Sequence, residues 1–239
     1  MSLLPLILAG LFVIAAIVLS ACRPRLRDNY VTDQVPAGLS CEELENWLQT
    51  HEAAVAGVVD GAEAGIEWAS EKQQKTRYCF IYLHGFSATR RETSPVIETL
   101  ATRYASNIVF VRLSGHGVRP TDELGRAEDW LQDVWNAWQI AAQLGDEVVI
   151  VATSTGAPLS VWLASQDKVC ERLRAMLFLS PNFRIRNPFG FLLTWPLSVR
   201  WIHWIIGAWH EWEPETELHG KFWTSRYRTS SLIEMQKVL

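Results

Sequence analysis

Cysteine is scarce. The 239 residues hold four, Cys22, Cys41, Cys79 and Cys170, none in a Cys-x-x-Cys spacing, so neither a zinc site nor a disulfide framework is signalled. Cys79, inside the apolar run RYCFIYL, reads as a buried strand residue. Positive charge is not in excess either: 22 Lys and Arg stand against 26 Asp and Glu, a net charge of −4. Nucleic-acid recognition needs clustered cationic side chains, so a polyanionic partner is not expected. Internal repeats and low-complexity tracts are absent, and no Asp follows Asp167. What is present is 49% hydrophobic content with 20% charged residues, enough for one substantial core and one main domain. Tryptophan is abundant: of twelve, Trp195, Trp201, Trp204, Trp209, Trp212 and Trp223 fall in one late segment.

The N-terminus reads as separate from the fold. Leu3 to Ala21 form an apolar run without charge, long enough for a signal h-region or a marginal membrane span. It ends in LSAC, Leu19 to Cys22, which resembles the bacterial lipobox, in which the cysteine takes lipid and becomes the new N-terminus. No Lys or Arg precedes the run, however, whereas Arg23, Arg25 and Arg27 follow it, and positive flanks favour the cytoplasmic side for an uncleaved anchor. The lipoprotein on the periplasmic side is the favoured reading, because the lipobox position is sharp while charge bias is statistical. A cytoplasm-facing single helix is the alternative. Membrane attachment through the N-terminus follows from both.

Downstream, Ser40 with Glu43 three residues on begins a helix with a capping box. AGIEWAS and RYCFIYL follow as strands, then a segment with a helical second half, the strand NIVFVRL, the loop SGHGVRP and a long helix near Glu128 to Leu144. EVVIVA reads as a buried strand, GAPLSVWLASQ as a helix and LRAMLFLS as another buried strand. Short aliphatic strands alternating with helices predict an α/β fold, a doubly wound and mostly parallel sheet covered on both faces.

In such a sheet, chemistry gathers at the carboxyl ends of strands. Ala152-Thr153-Ser154-Thr155-Gly156 lies there, between EVVIVA and the helix, in the strand-turn-helix context of a nucleophile elbow. Small residues are required because strand and helix backbones approach closely; the usual first Gly is Ala152. A serine in an ordinary strand-to-helix loop is the competing reading. YLHGF, Tyr82 to Phe86, follows an earlier strand, where an oxyanion hole draws one backbone N–H, the second coming from the residue after the nucleophile. Those donors would be Phe86 and Thr155. Gly85, Gly156, His84 and His116, the last in RLSGHG, read as site-shaping residues rather than proton carriers.

Taken together, YLHGFSATRRE, RLSGHG, the helix EDWLQDVWNAW, ATSTG and LFLSPN resemble the α/β-hydrolase superfamily, in its serine esterase and monoacylglycerol-lipase-like branch, over about Ile66 to Asn182. The resemblance implies that Ser154 attacks an acyl carbonyl, that the Phe86 and Thr155 amides hold the oxyanion, and that no metal or organic cofactor takes part. Superfamily order then places an acid and a histidine on later loops. His203, His210 and His219 all lie in the tryptophan-rich segment, without the strand pattern that carries a triad histidine. The sequence is therefore expected to lack the C-terminal strands with acid and base, and as it stands to be inactive. The expected organisation is a signal peptide or anchor over 1–22, a linker and helix over 23–60, the core over 61–187 and a cap over 188–225. Residues 226–239 are expected to start a helix leading to further core. The expected function is a membrane-associated serine hydrolase of carboxylic esters, acting on a small-molecule ester or lipid with an apolar acyl group under the aromatic cap. A non-catalytic hydrolase-like binding module and a peptidase of the same fold are the alternatives.

Overall fold

The computed structural model describes residues 4–29 and 31–239. Met1 to Leu3 of the expected leader lie outside the described residues. Helix α1 (Leu4–Ala21) leads to α2 (Cys41–Ala53), β1 (Gly65–Glu67), β2 (Thr76–Leu83), α3 (Val96–Arg103) and β3 (Asn107–Phe110). There follow α4 (Ala127–Leu144), β4 (Gly145–Thr153), α5 (Gly156–Ala164), α6 (Asp167–Cys170) and β5 (Leu173–Leu179). A 3₁₀ helix, Pro188–Thr194, then opens a peripheral layer with α7 (Ser198–Ile206), β6 (Trp209–Glu211), α8 (Glu217–Phe222), β7 (Arg226–Arg228) and α9 (Thr229–Val238).

Five strands form one sheet in the order β1-β3-β2-β4-β5, parallel throughout except for β1, which runs antiparallel to β3. Strands apolar on both sides need cover on both faces. One face packs Leu44 of α2, Trp130, Leu131, Val134 and Trp138 of α4, and Leu159 of α5 against Ile81, Leu83 and Ile150. The other packs Ile97 and Ala101 of α3 against Phe80, Tyr82, Phe110 and Val151. On α4 the buried positions recur every three or four residues, which gives the helix one apolar stripe. Helix α2 carries both reciprocal bonds of the expected capping box, Glu43 N to Ser40 Oγ and Ser40 N to Glu43 Oε2.

Three expectations need correction. The strand of NIVFVRL ends at Phe110, where β1 also begins its pairing at Gly65, and only Val111 N still bonds to β2, at Tyr82 O; beyond it Arg112 turns to an ion pair with Glu52, at 2.5 Å. Residues 32–39 are no loose linker, because they are strapped along α4 by three glutamines: Gln132 takes the Thr32 amide, Gln139 those of Gln34 and Val35, and Gln143 those of Gly38 and Leu39. Finally, β6 pairs with β7 across the expected boundary at 225, so the cap runs on to Arg228. Helix α9 then packs on the 3₁₀ helix, α7 and α4.

Helix α1 shows its apolar side chains to solvent from Ile7 to Leu19, with Phe12 75% exposed. Among the described residues no helix is long and apolar enough to cross a membrane. The 18 residues of α1 rise about 27 Å at ~1.5 Å each, just under the ~30 Å of a bilayer core.

Candidate active site

The end of β4 sets Ser154. Its φ of +50° lies in the left-handed region, which costs a non-glycine residue roughly 1–2 kcal/mol. Neighbouring backbone holds it there: Ser154 N donates to Leu179 O at 3.0 Å, and Asn182 N donates to Ser154 O at 3.1 Å, so the end of β5 grips both sides of the turn. Helix α5 starts at once with Gly156, where a Cβ would stand 2.5 Å from Leu83 O. This is the close strand-helix approach that demands glycine. Ala152, which replaces the usual first glycine, is fully buried and in register with Leu83 and Phe178; its methyl group is part of the core. Ser154 is half-buried, and its Oγ makes no hydrogen bond among the described residues.

The loop after β2 lies against this turn. A Cβ on Gly85 would be 3.0 Å from Ser154 Cβ and 2.9 Å from Glu92 Oε1, so any side chain there would push on both Ser154 and Glu92. His84 is fully buried, with Nδ1 2.9 Å from Gly85 O and Nε2 accepting from Leu113 N at 3.1 Å. Burial lowers its pKa to about 4, so the ring is neutral and acts as a brace between two loops. The Gly85 amide donates to Glu92 Oε2 at 2.7 Å. Tyr82 Oη reaches the same carboxylate at 3.4 Å and Thr153 Oγ1 at 3.1 Å, which ties the loop to the residue before Ser154. Burial raises the Glu92 carboxyl above its ordinary range, with the Gly85 amide pulling the other way. The Phe86 ring is wedged against Tyr227, His116 and Trp130 at centroid distances of 5.2, 5.9 and 6.2 Å. Neither the Phe86 amide nor the Thr155 amide has a hydrogen-bond acceptor among the described residues.

The sequence matches no known family model and no curated protein. Solved structures do match. One of the metagenome-derived lipolytic enzymes LipS and LipT aligns at 20% identity over 76% of this chain and 69% of its own, with a TM-score of 0.59. The α/β hydrolase GrgF from Penicillium sp. sh18 aligns at 15% identity over 75% and 70%, with a TM-score of 0.50. A monoacylglycerol lipase from Paleococcus ferrophilus aligns at 11% identity over 74% and 70%, also at 0.50. The fold is that of the α/β-hydrolases.

In an α/β-hydrolase sheet the carboxyl ends of neighbouring parallel strands share one edge, and here β2, β3 and β4 bring His84 to Phe86, the Ser114–Gly117 loop and Ser154 to it. His116 is fully buried between His84, Phe86 and Trp130. Burial, then the neighbouring His84, holds its pKa well below the usual value. Its Nε2 has no partner among the described residues. The later histidines pack edge-on or tilted against aromatic rings of the cap, His203 on Trp204, His210 on Tyr227, and His219 on Trp212 and Trp223; none hydrogen-bonds Ser154. Cys22 is exposed at the foot of α1, and all four cysteines are free thiols. No group of three or more metal-ligating side chains converges among the described residues. Glu92 was missed by sequence reasoning: HGFSATRRE contains it, but nothing local marks a carboxylate eight residues after His84 as the acceptor of the Gly85 amide.

Proposed function

We propose that this chain carries the nucleophile and oxyanion loop of a serine hydrolase acting on carboxylic esters with apolar acyl groups, held at a membrane by its N-terminus. The carrying observation is the left-handed turn at Ser154 pressed against the Gly85–Phe86 loop. Ser154 Oγ is the atom placed to attack the acyl carbon, a step that requires a base to take its proton. The carbonyl oxygen gathers negative charge beside the Phe86 and Thr155 amides, and collapse of the tetrahedral species expels the alcohol and leaves an acyl-serine. Preformed donors matter because their dipoles need no reorganisation as the charge develops. Similarity to solved lipolytic enzymes and a lipase supports the ester reading, and the exposed aromatic cap supports an apolar acyl group. For attachment, either lipid on Cys22 after the LSAC motif or α1 as an uncleaved helix serves, with the periplasmic lipoprotein favoured.

A second reading, a hydrolase-like module that binds esters without turnover, is favoured by one observation: Ser154 Oγ has no base within hydrogen-bond reach among the described residues. A serine hydroxyl without a base is a weak nucleophile, yet an oxyanion hole with substrate binding still leaves roughly 10³–10⁴-fold acceleration over water. The chain is therefore expected to hydrolyse p-nitrophenyl esters above the uncatalysed rate but several orders of magnitude more slowly than a complete triad, and to react slowly with a fluorophosphonate at Ser154. Mass spectrometry of the adduct checks this; equal labelling of Ser154→Ala would overturn the nucleophile assignment.

A further inference from the structure

Residues 1–27 and 175–210 are long stretches of this acidic chain without Asp or Glu. Residues 1–27 carry Arg23, Arg25 and Arg27, and residues 175–210 carry Arg184, Arg186 and Arg200, all six exposed. Far apart in sequence, they meet in the fold: Leu197 N donates to Cys22 O at 3.1 Å, and the Arg23 guanidinium lies 5.4 Å from the centre of the Trp195 ring. Around this junction the cap displays apolar surface, with Trp204 78%, Phe189 66% and Ile205 64% exposed and Trp195 and Val199 beside them in sequence also open. Helix α7 buries Ser198 and Ile202 and turns its larger apolar groups outward, the reverse of a water-facing helix.

We infer that the cap face over residues 188–206 rests on an anionic phospholipid bilayer, the same one that holds the N-terminus. This rests on the membrane attachment proposed above and adds a second contact to it. Tryptophan and arginine together suit the headgroup boundary, where rings lie between water and acyl chains and guanidinium groups meet phosphates. One acyl chain binds a membrane marginally, and stable attachment takes a second apolar or cationic element. A second copy of the chain is a poorer occupant, because two such faces would bring their arginines together. An apolar acyl chain would then pass from the bilayer to the cap without crossing water.

The test uses the full chain on vesicles of phosphatidylcholine and phosphatidylglycerol with brominated acyl chains. Flotation reports the N-terminal attachment, and the fluorescence difference between wild type and Trp204→Phe reports the cap. The Trp204 signal is expected to be roughly halved by brominated lipid, as for a ring sunk ~5–10 Å into the headgroup boundary. It should recover in phosphatidylcholine alone and in the variant with Arg184, Arg186 and Arg200 changed to Gln. A floating protein whose Trp204 signal is unquenched overturns the inference and leaves the attachment standing, whether Trp204 is open to iodide or shielded by a second copy. A protein that does not float removes both.

Discussion

Glu92 accepts the Gly85 amide at 2.7 Å, and Gly85 is the residue whose Cα passes Ser154. Losing that acceptor frees the loop that presents the Phe86 amide. Removing an oxyanion donor outright costs about 10²–10³ in rate, and loosening one costs less. Glu92→Ala is therefore expected to slow fluorophosphonate labelling of Ser154 by roughly 10-fold or more, with Glu92→Gln, which keeps an acceptor, recovering most of it. If Gln and Ala variants label alike, the carboxylate does not position the loop. Gly156 is a matter of space: a Cβ would lie 2.5 Å from Leu83 O, and backbone cannot yield as a side-chain tip does. Gly156→Ala is expected to destabilise the fold by about 1–3 kcal/mol through strand-helix displacement, read as a lower urea midpoint.

At the scale of elements, α9 is clamped to α4. Lys237 Nζ lies 2.7 Å from Glu128 Oε1, both side chains under a tenth exposed, and it also reaches Glu234 at 2.8 Å. Burial opposes ionisation of Glu128, but the Lys237 hydrogen bond and charge prevail and hold its carboxyl below the ordinary range. Without Lys237 the Glu128 carboxylate keeps Arg126 at 3.6 Å but loses its buried hydrogen bond, which costs about 1–3 kcal/mol. Lys237→Met should lose stability of that order, while Lys237→Met with Glu128→Leu should regain most of it; thermal unfolding of both decides. The elements were legible where their signals are local. The capping box at Ser40, the stripe on α4, the aliphatic runs of β2 and β4, and the turn before Gly156 each depend on neighbours within a turn or a strand, whereas LRAMLFLS, read as a buried strand, forms β5 with no buried residue. What escaped depends on distant partners: the glutamine ladder that captures residues 32–39, and the β6–β7 hairpin that carries the cap past residue 225.

For the whole molecule, pH acts through neutral buried histidines. His84 has a folded pKa near 4 against an ordinary 6.5, so between those values the unfolded chain binds the proton that the native state refuses. Its stabilisation is complete above about pH 6.5 and falls as pH drops toward 4, by about 3 kcal/mol in full. His116 acts in the same direction, whereas Asp133, raised to about 7 by burial, and Glu92 act in the opposite one. The comparison of wild type with His84→Gln isolates the first contribution: the variant should lose less stability between pH 6.5 and 4 in urea titrations. Parallel curves would show that His84 does not titrate between the two states.

The α/β class, the strand-turn-helix at Ser154, the glycines its crowding requires and the apolar, arginine-flanked N-terminus are all readable from the order of residues. Each is written in patterns of spacing and residue size that act over a few positions. Tertiary structure alone decided that Glu92 grips the Gly85 amide, that His84 and His116 are sealed from solvent, and that Leu197 of the cap meets Cys22 at the foot of α1. Burial and hydrogen bonding between residues far apart in the chain exist only once the sheet order brings their loops to one edge, and no local pattern encodes that order.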